Sequence, residues 1–246
     1  STKVATLNSA VSDDPFAIVI TGVAGNINKH NTYFEAGNSG VLSEYNISTR
    51  AANHGHGRGV GRLYGNIVQD CPTSYTEEKD SAPDGGELYT RRCAALGPVD
   101  FARARAFGIV TIWGFEIKNQ QGETMLTEEC ICAGLSVADG GGVANVFAFA
   151  LSGMASGFDS TLDNCSVYQW QCVNGASVQV LLVSGQAGVT KTISNCRFQQ
   201  TDGSSYLCSI VNTASGTQVF ENNEYHQTEV GLLSSTLSLS RGTLVS

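Results

Sequence analysis

The chain has 246 residues, with 28 Gly, only 4 Pro and a formal net charge of −8. Its length suits one large domain or two small ones and is ample for a buried core. Lys and Arg total 14, so the chain lacks the basic footprint of a phosphate-binding protein, and no nucleic-acid partner is expected. No run reaches 18 apolar residues, so no membrane span is predicted.

The N-terminal part is predicted to be rich in β-structure without a clear repeat. Residues 1–14 are polar and resemble an arm, residues 16–22 form a buried strand, and residues 28–50 form irregular β-structure. The segment His54-Gly55-His56-Gly57 could hold a metal, with His30 as a distant third ligand. A flexible loop is the favoured interpretation, so neither a metal nor another cofactor is predicted.

Two further features lie between this part and the repeats that follow. Residues 70–88 are predicted to form a long acidic loop. Residues 99–107 are predicted to form a short helix that caps the open end of a coil starting at Ile109. In the next rung of that coil, Cys132 occupies the place that Asn residues take in the repeats described below. The predicted organisation is therefore a β-rich segment, residues 1–107, followed by a coil, residues 108–246.

The strongest signal is a repeat in the C-terminal half. Three stretches align without gaps, with their first Asn residues 31 and 27 positions apart: Thr161–Gln169, Thr192–Gln200 and Val219–Gln227. A second series of short β-prone runs ends in Ser-Gly at residues 153, 185 and 216. Units of about 30 residues that cannot bury their own apolar face must stack on one another. A coil of parallel strands is therefore predicted.

The Asn residues of the repeat are predicted to turn the chain. Asn tolerates the left-handed conformation that a tight bend requires. A bend there would point three sets of side chains into the core: Leu162, Ile193 and Phe220 before it, Cys165, Cys196 and Asn223 directly after it, and Val167, Phe198 and Tyr225 two residues later. Of the eight Cys residues, Cys165 and Cys196 occupy the same rung position and are expected to pack reduced in the core, although their spacing would permit a disulfide.

The motifs Leu-x-Asn-Cys-x-Val, Ile-x-Asn-Cys-x-Phe and Phe-x-Asn-Asn-x-Tyr resemble rungs of right-handed parallel β-helix proteins, a family that includes pectate lyases and bacteriophage tailspikes. The resemblance covers residues 108–246. It implies an all-β fold, a short right-handed parallel β-helix of about five rungs after the N-terminal segment. These motif positions are structural in the family, so they imply no particular chemistry.

Carboxylate pairs are the usual catalytic groups of the enzymes in this family. Asp163 and Glu221 share a predicted column with Ser194 between them, and they are the candidate catalytic pair. Solvated side chains without a catalytic role are the favoured interpretation, because Asp and Glu on a sheet surface are usually exposed. Candidate glycan-binding residues near the coil are Tyr168, Trp170, Arg197 and His226.

The resemblance implies two classes of function. The favoured one is a structural or adhesive virion protein, such as a phage spike, fibre or capsid-surface component, which forms a homotrimer, contacts other virion proteins and binds a host-surface polysaccharide. The alternative is a carbohydrate-active enzyme, either a tailspike-type endoglycosidase or a polysaccharide lyase, and a secreted location is the alternative to the virion. Few rungs are available for a catalytic groove, which favours the first class.

Overall fold

The computed structural model describes seventeen segments of the chain. They are residues 19–21, 30–33, 41–51, 53–57, 61–78, 88–106, 108–119, 125–134, 145–153, 159–169, 177–183, 190–199, 208–212, 217–226, 229–233, 237–240 and 243–245. Most of these residues lie in strands.

The strands form three parallel sheets, named A, B and C. Sheet A contains β1 (Val19–Thr21), β4 (Ile47–Thr49), β7 (Ile67–Gln69), β10 (Ala94–Leu96), β13 (Ile131–Ala133), β16 (Ser166–Tyr168), β19 (Arg197–Gln199), β22 (Glu224–His226) and β25 (Thr243–Val245). Sheet B contains β2 (His30–Tyr33), β5 (His54–Gly57), β8 (Thr73–Glu78), β11 (Thr111–Asn119), β14 (Asn145–Gly153), β17 (Ser177–Val183), β20 (Cys208–Asn212) and β23 (Glu229–Leu233). Sheet C contains β3 (Val41–Glu44), β6 (Gly61–Tyr64), β9 (Leu88–Arg91), β12 (Met125–Glu128), β15 (Ser160–Asp163), β18 (Thr190–Ser194), β21 (Thr217–Glu221) and β24 (Leu237–Ser240).

The chain passes through the sheets in the order C, A, B, and each strand pairs with the strand three positions later in the chain. The result is an all-β solenoid of parallel strands, compatible with a parallel β-helix, and the predicted fold class is confirmed. Seven turns of the coil contribute one strand to each sheet, from β3–β5 to β21–β23.

The coil begins well before residue 109, where the sequence placed its first rung. β10 pairs with β7 on one side and β13 on the other, so sheet A continues across the predicted boundary between residues 107 and 108. β8 and β11 continue sheet B across it in the same way. The estimate of about five rungs was therefore too low. The early rungs were not predicted from the sequence because residues other than Asn form their bends.

The bend between sheets C and A has the same form in all seven turns. One residue with positive φ is followed by one residue that points into the coil, and the positive-φ residues are Tyr45, Gly65, Arg92, Glu129, Asn164, Asn195 and Asn222. Their φ angles lie between 49° and 65°. The prediction for the three Asn residues is confirmed. The register predicted for Cys132 was wrong, because Glu129 occupies the bend and Cys130 the inward place.

The inward residues after the bends form a ladder along the coil, named here the Asn/Cys ladder: Asn46, Asn66, Cys93, Cys130, Cys165, Cys196 and Asn223. At one rung, Asn223 Oδ1 accepts the Cys196 N–H at 2.9 Å and Asn223 Nδ2 donates to the Ile193 carbonyl at 2.9 Å. At another rung, Cys165 Sγ accepts the Cys130 N–H at 3.4 Å and donates to the Thr127 carbonyl at 3.6 Å. Asn and Cys therefore satisfy the same two buried backbone groups.

The core between the sheets is apolar, as predicted for the repeat. Leu162, Ile193 and Phe220 are at most 2% exposed, and Val167 and Phe198 at most 1%. Tyr75, Phe115 and Phe149 stack across three neighbouring strands of sheet B, with ring centroids 4.4 Å and 5.0 Å apart. Cys165 and Cys196 carry reduced thiols in the core, as expected, and the described buried cysteines without a disulfide are Cys71, Cys93, Cys130, Cys132, Cys165 and Cys196. The side chain of Tyr225 lies outside the described residues.

The predicted short helix exists as α1 (Phe101–Ala106), but it does not cap the coil. It lies between β10 and β11, after several rungs have already formed. Phe101 and Ala104 are buried, and the Arg103 guanidinium donates to both carboxylate oxygens of Asp70. These contacts attach α1 to the bend that follows β7. This helix is too short to cross a membrane, and no described helix is long and apolar enough to do so.

Two predicted loops are partly strands. The segment predicted as a flexible loop at His54 is β5, which pairs with β2 and β8. The first part of the predicted acidic loop, Thr73–Glu78, is β8. Both predictions failed because pairing to neighbouring rungs outweighs the low intrinsic strand preference of Gly, Asp and Glu. Residues 1–14 and 79–87 lie outside the described residues, so the predicted arm and the rest of the predicted acidic loop stay predictions.

Candidate glycan-binding surface

The outer surface of the bend between sheets C and A carries polar and aromatic side chains in regular columns along the described coil. It consists of two neighbouring columns, together named the C–A edge. The first column contains the last residues of the sheet C strands: Glu44, Tyr64, Arg91, Glu128, Asp163, Ser194 and Glu221. The second column contains the positive-φ residues that follow them, from Tyr45 to Asn222. Parallel stacking brings each side chain beside its counterparts in neighbouring rungs, roughly 4.8 Å away.

The two predicted catalytic carboxylates both lie on this edge. Asp163 is in register with Ser194, and Ser194 is in register with Glu221, so the predicted column exists. Two strand spacings put Asp163 and Glu221 roughly 9–10 Å apart at the backbone. Asp163 Oδ1 accepts the Ser194 hydroxyl at 2.6 Å and the Asn195 amide at 2.8 Å. These two hydrogen bonds tie the Asp163 carboxylate to the neighbouring rung.

Of the described candidate glycan-binding residues, Arg197 begins a sheet A strand directly after the bend, whereas Tyr168 and His226 are the last residues of sheet A strands. Tyr168 ends β16 with 43% of its surface exposed, and its hydroxyl accepts Gln169 Nε2 at 3.4 Å. Arg197 Nε lies 2.9 Å from Glu224 Oε2 in an ion pair, and both side chains are more than half exposed. His226 lies in β22, in register with Gln199. Trp170 lies outside the described residues. Arg197 is therefore on the face adjoining Asp163 and Glu221, with the bend between them.

The N-terminal half of the edge carries an aromatic cluster that the sequence did not reveal: Tyr45, Tyr64, Tyr89, Arg62, Arg91 and Arg92. The rings of Tyr45 and Tyr64 meet edge to face with centroids 5.5 Å apart. Tyr45 is 54% exposed, more than any other large apolar or aromatic residue among the described exposed ones. An exposed ring on a rigid bend is a surface on which the apolar face of a sugar can stack.

Guanidinium groups surround these rings. The Arg91 guanidinium carbon lies 4.8 Å from the centre of the Tyr89 ring, and the Arg62 carbon lies 5.8 Å from it. Arg92 donates to the Tyr64 hydroxyl at 2.7 Å and lies 5.7 Å from the centre of the same ring. These contacts are within cation–π range and fix the orientation of the rings. The aromatic cluster is therefore preorganised rather than assembled from independent surface side chains.

The same arginines also pair with carboxylates on the next rung. Arg91 Nε lies 2.6 Å from Glu128 Oε2. Arg92 pairs with Glu129, and this hydrogen bond raises the pKa of the Arg92 guanidinium. The two Glu residues continue the columns towards Asp163 and Asn164. The C–A edge thus runs from aromatic and cationic groups at its N-terminal half to carboxylate, hydroxyl and amide groups at its C-terminal half.

A sequence signal for the aromatic cluster exists in the pairs Tyr45-Asn46, Gly65-Asn66 and Arg92-Cys93. Each repeats the combination of a bend residue and an Asn or Cys that marks Asn164-Cys165. The signal is faint because five residue types occupy the bend. Only the ladder position, which is restricted to Asn and Cys, identifies these rungs.

The buried thiols do not offer a nucleophile. Burial raises the pKa of Cys71 to about 12, and it raises the pKa values of Cys130, Cys132 and Cys165 well above their usual range. Thiolate is the reactive form, so these cysteines are inert at neutral pH. The backbone of His54, in the Gly-rich segment, is in register with that of His30 on the neighbouring strand. The described residues nevertheless contain no group of three or more metal-ligating side chains.

No protein-family model, no curated protein and no solved structure matches the chain. Its function therefore has to be inferred from the surface of the coil.

Proposed function

We propose that this chain is a structural or adhesive component of a virion that binds a host-surface glycan along the C–A edge. The observation that carries the proposal is the preorganised aromatic cluster at Tyr45 and Tyr64, continuous with a row of carboxylate, hydroxyl and amide groups. Rings supply stacking surfaces for sugars, and the polar row supplies donors and acceptors for hydroxyl groups. The resemblance of the repeat motifs to tailspike rungs supports the location on a virion, as a spike, fibre or capsid-surface protein.

Adhesion is favoured over catalysis because the groups on the edge already satisfy one another. Asp163 accepts two hydrogen bonds on one oxygen, and Arg91 and Arg92 are paired with Glu128 and Glu129. Catalytic carboxyl groups have to be free to contact the substrate, whereas these carboxylates are engaged with neighbouring side chains. A surface whose groups contact one another can still bind a ligand, since hydroxyl groups of a sugar can share its exposed oxygens and N–H groups.

The test is direct glycan binding by purified protein. The wild-type chain should bind at least one polysaccharide of a broad surface-glycan array, and Tyr45→Ala should raise the Kd about tenfold or more, which corresponds to about 1.4 kcal/mol. Tyr64→Phe keeps the ring but loses the hydroxyl that Arg92 contacts, so its effect should be smaller. Val110→Ala, at a position that is 52% exposed and away from the edge, is the matched control. Wild-type protein that binds no glycan on the array would contradict the proposal.

The second candidate function is a carbohydrate-active enzyme, an endoglycosidase or polysaccharide lyase. It is favoured by one observation, the register that places Asp163 and Glu221 on one column with Ser194 between them. The backbone spacing of roughly 9–10 Å is near the upper limit for an inverting pair of carboxylates. Chain shortening of a polysaccharide by the wild type, abolished in Asp163→Ala and in Glu221→Ala, would establish this alternative and overturn a purely adhesive role.

We propose further that the chain forms a homotrimer through the outer face of sheet A. Ile47, Ile67, Ala94 and Ile131 share one outward column of that face, with Ile67 36% and Ile131 37% exposed. Another copy of the same narrow face is a suitable partner, because apolar side chains in register can bury each other along the coil. Light scattering should give three times the 25.9 kDa chain mass. Ile131→Glu should give the monomer mass, and a monomeric wild type would exclude this assembly.

A further inference from the structure

The core contains a polar interruption at the first inward position of the sheet C strands. Met125, Ser160, Lys191 and Gln218 are register partners on four successive strands, and all four are at most 2% exposed. Met125 is apolar, whereas the three residues that follow it are polar. Core positions of this kind are normally apolar, and a fully buried Lys is rare unless it is paired.

Strand alternation forces Lys191 into the core. Within β18, Lys191 and Ile193 are buried while Thr190, Thr192 and Ser194 are partly exposed. Because Ile193 is 0% exposed and side chains alternate with a period of two, Lys191 has to point inward as well. The amine at the end of the side chain is buried as well, so Lys191 does not reach the solvent.

The Lys191 ammonium has no hydrogen-bond partner. Neither Lys191 Nζ nor Ser160 Oγ forms a hydrogen bond, although both atoms are buried. The carboxylate that acts on Lys191 electrostatically is Asp159, which is exposed and whose Oδ1 accepts the Thr190 N–H at 2.8 Å. Burial lowers the pKa of Lys191 to about 8, and Asp159 offsets this only in part. The amine therefore remains mostly protonated at neutral pH, as a buried cation that requires a counter-charge.

We propose that Lys191 and Ser160 bind a small monovalent inorganic anion of halide size inside the coil. An anion would neutralise the ammonium and accept hydrogen bonds from Nζ and from the Ser160 hydroxyl, so it satisfies both orphaned groups at once. Ser160 is the register partner of Lys191 on the neighbouring strand, so the two orphaned groups belong to one inward column. A single positive charge at this position matches a monovalent anion and not a phosphate or sulfate dianion.

The proposal is tested by thermal unfolding at constant ionic strength, with sodium gluconate replaced stepwise by sodium chloride. An anion that binds only the folded chain stabilises it by mass action, so the wild-type Tm should rise by about 2–4 °C once chloride exceeds its Kd severalfold. Lys191→Met should abolish the rise, and Ser160→Ala should reduce it. Arg50→Gln removes one exposed positive charge elsewhere and should retain the full rise, because Arg50 is 63% exposed at the side chain.

A crystal of the wild-type chain grown in sodium bromide provides the second measurement, which does not depend on the variants folding. Anomalous scattering should reveal one bromide in the core, next to Lys191 Nζ and Ser160 Oγ. An equal chloride response in Lys191→Met, a wild-type Tm that ignores chloride, or a core without bromide would each overturn the proposal. A bromide found only on the surface would do the same.

Discussion

Replacing Asn223 with Leu tests whether the Asn/Cys ladder holds the rungs together. The side chain is 1% exposed and makes two hydrogen bonds of 2.9 Å, one from the Cys196 N–H and one to the Ile193 carbonyl. Leu has a similar volume but neither donates nor accepts, so the variant leaves two buried backbone groups unsatisfied. Each such group costs about 1–3 kcal/mol, and the expected loss in the free energy of unfolding is about 2–5 kcal/mol.

Two further variants make this test specific to the ladder. Asn223→Cys should lose only about 1 kcal/mol, because Cys165 already shows that a thiol can accept an N–H and donate to a carbonyl in the ladder. Asn222→Gly, at the exposed bend with a φ of 53°, should change stability by less than about 1 kcal/mol, because Gly adopts positive φ freely. Thermal or urea unfolding monitored by circular dichroism gives the three values.

The reasoning about the ladder fails if Asn223→Leu is as stable as Asn223→Cys. A chain of this size shifts its Tm by about 2–4 °C for each kcal/mol, so the predicted difference between these two variants is several degrees. Such a result would mean that burial of an apolar side chain compensates for the lost hydrogen bonds. The restriction of this position to Asn and Cys would then have no energetic explanation.

Three other outcomes follow from the packing of the core. The free energy of unfolding should fall as the pH rises above 9, because thiols such as Cys130 and Cys165 ionise near 9.0 in the unfolded chain but have much higher pKa values when folded. Urea unfolding at pH 8 and at pH 10 measures the loss. Gly114→Ala should lower the free energy of unfolding by about 1–3 kcal/mol, because the new Cβ would lie 2.5 Å from a backbone oxygen. In Gly108→Ala the new Cβ meets no atom, so only backbone strain of about 1 kcal/mol is expected. A destabilisation confined to Gly108→Ala would contradict this reasoning. In chloride-free buffer, Lys191→Met should be more stable than wild type by about 3 kcal/mol at pH 7. This difference in the free energy of unfolding should shrink as the pH rises from about 8 to 10.5, because the wild-type amine loses its charge over that range. A difference that stays constant from pH 8 to 10.5 would show that the charge is not its cause.

The bend and ladder motif explains why much of the C-terminal coil could be predicted from local sequence. Asn at a bend, Cys or Asn directly after it and an apolar residue two positions later define a turn by their own conformational and burial preferences. The same pattern placed Asp163, Ser194 and Glu221 in one column, as the structure confirms. Repetition alone supplied this information, because residues at equivalent places of a stacked repeat must lie beside one another.

The remaining features depend on contacts between residues distant in sequence. Tyr45 and Arg92 occupy bends that carry no Asn, and their association with Tyr64 arises only when three rungs stack. The position of α1 within the coil likewise depends on Arg103 reaching Asp70 on an earlier rung. Lys191 is the clearest case. A Lys is predicted to face solvent from its own chemistry, but parallel pairing fixes the register and alternation then buries it. The sequence by itself determined the bends and the inward columns, which are local, while tertiary stacking decided which surface groups meet and which polar groups are enclosed.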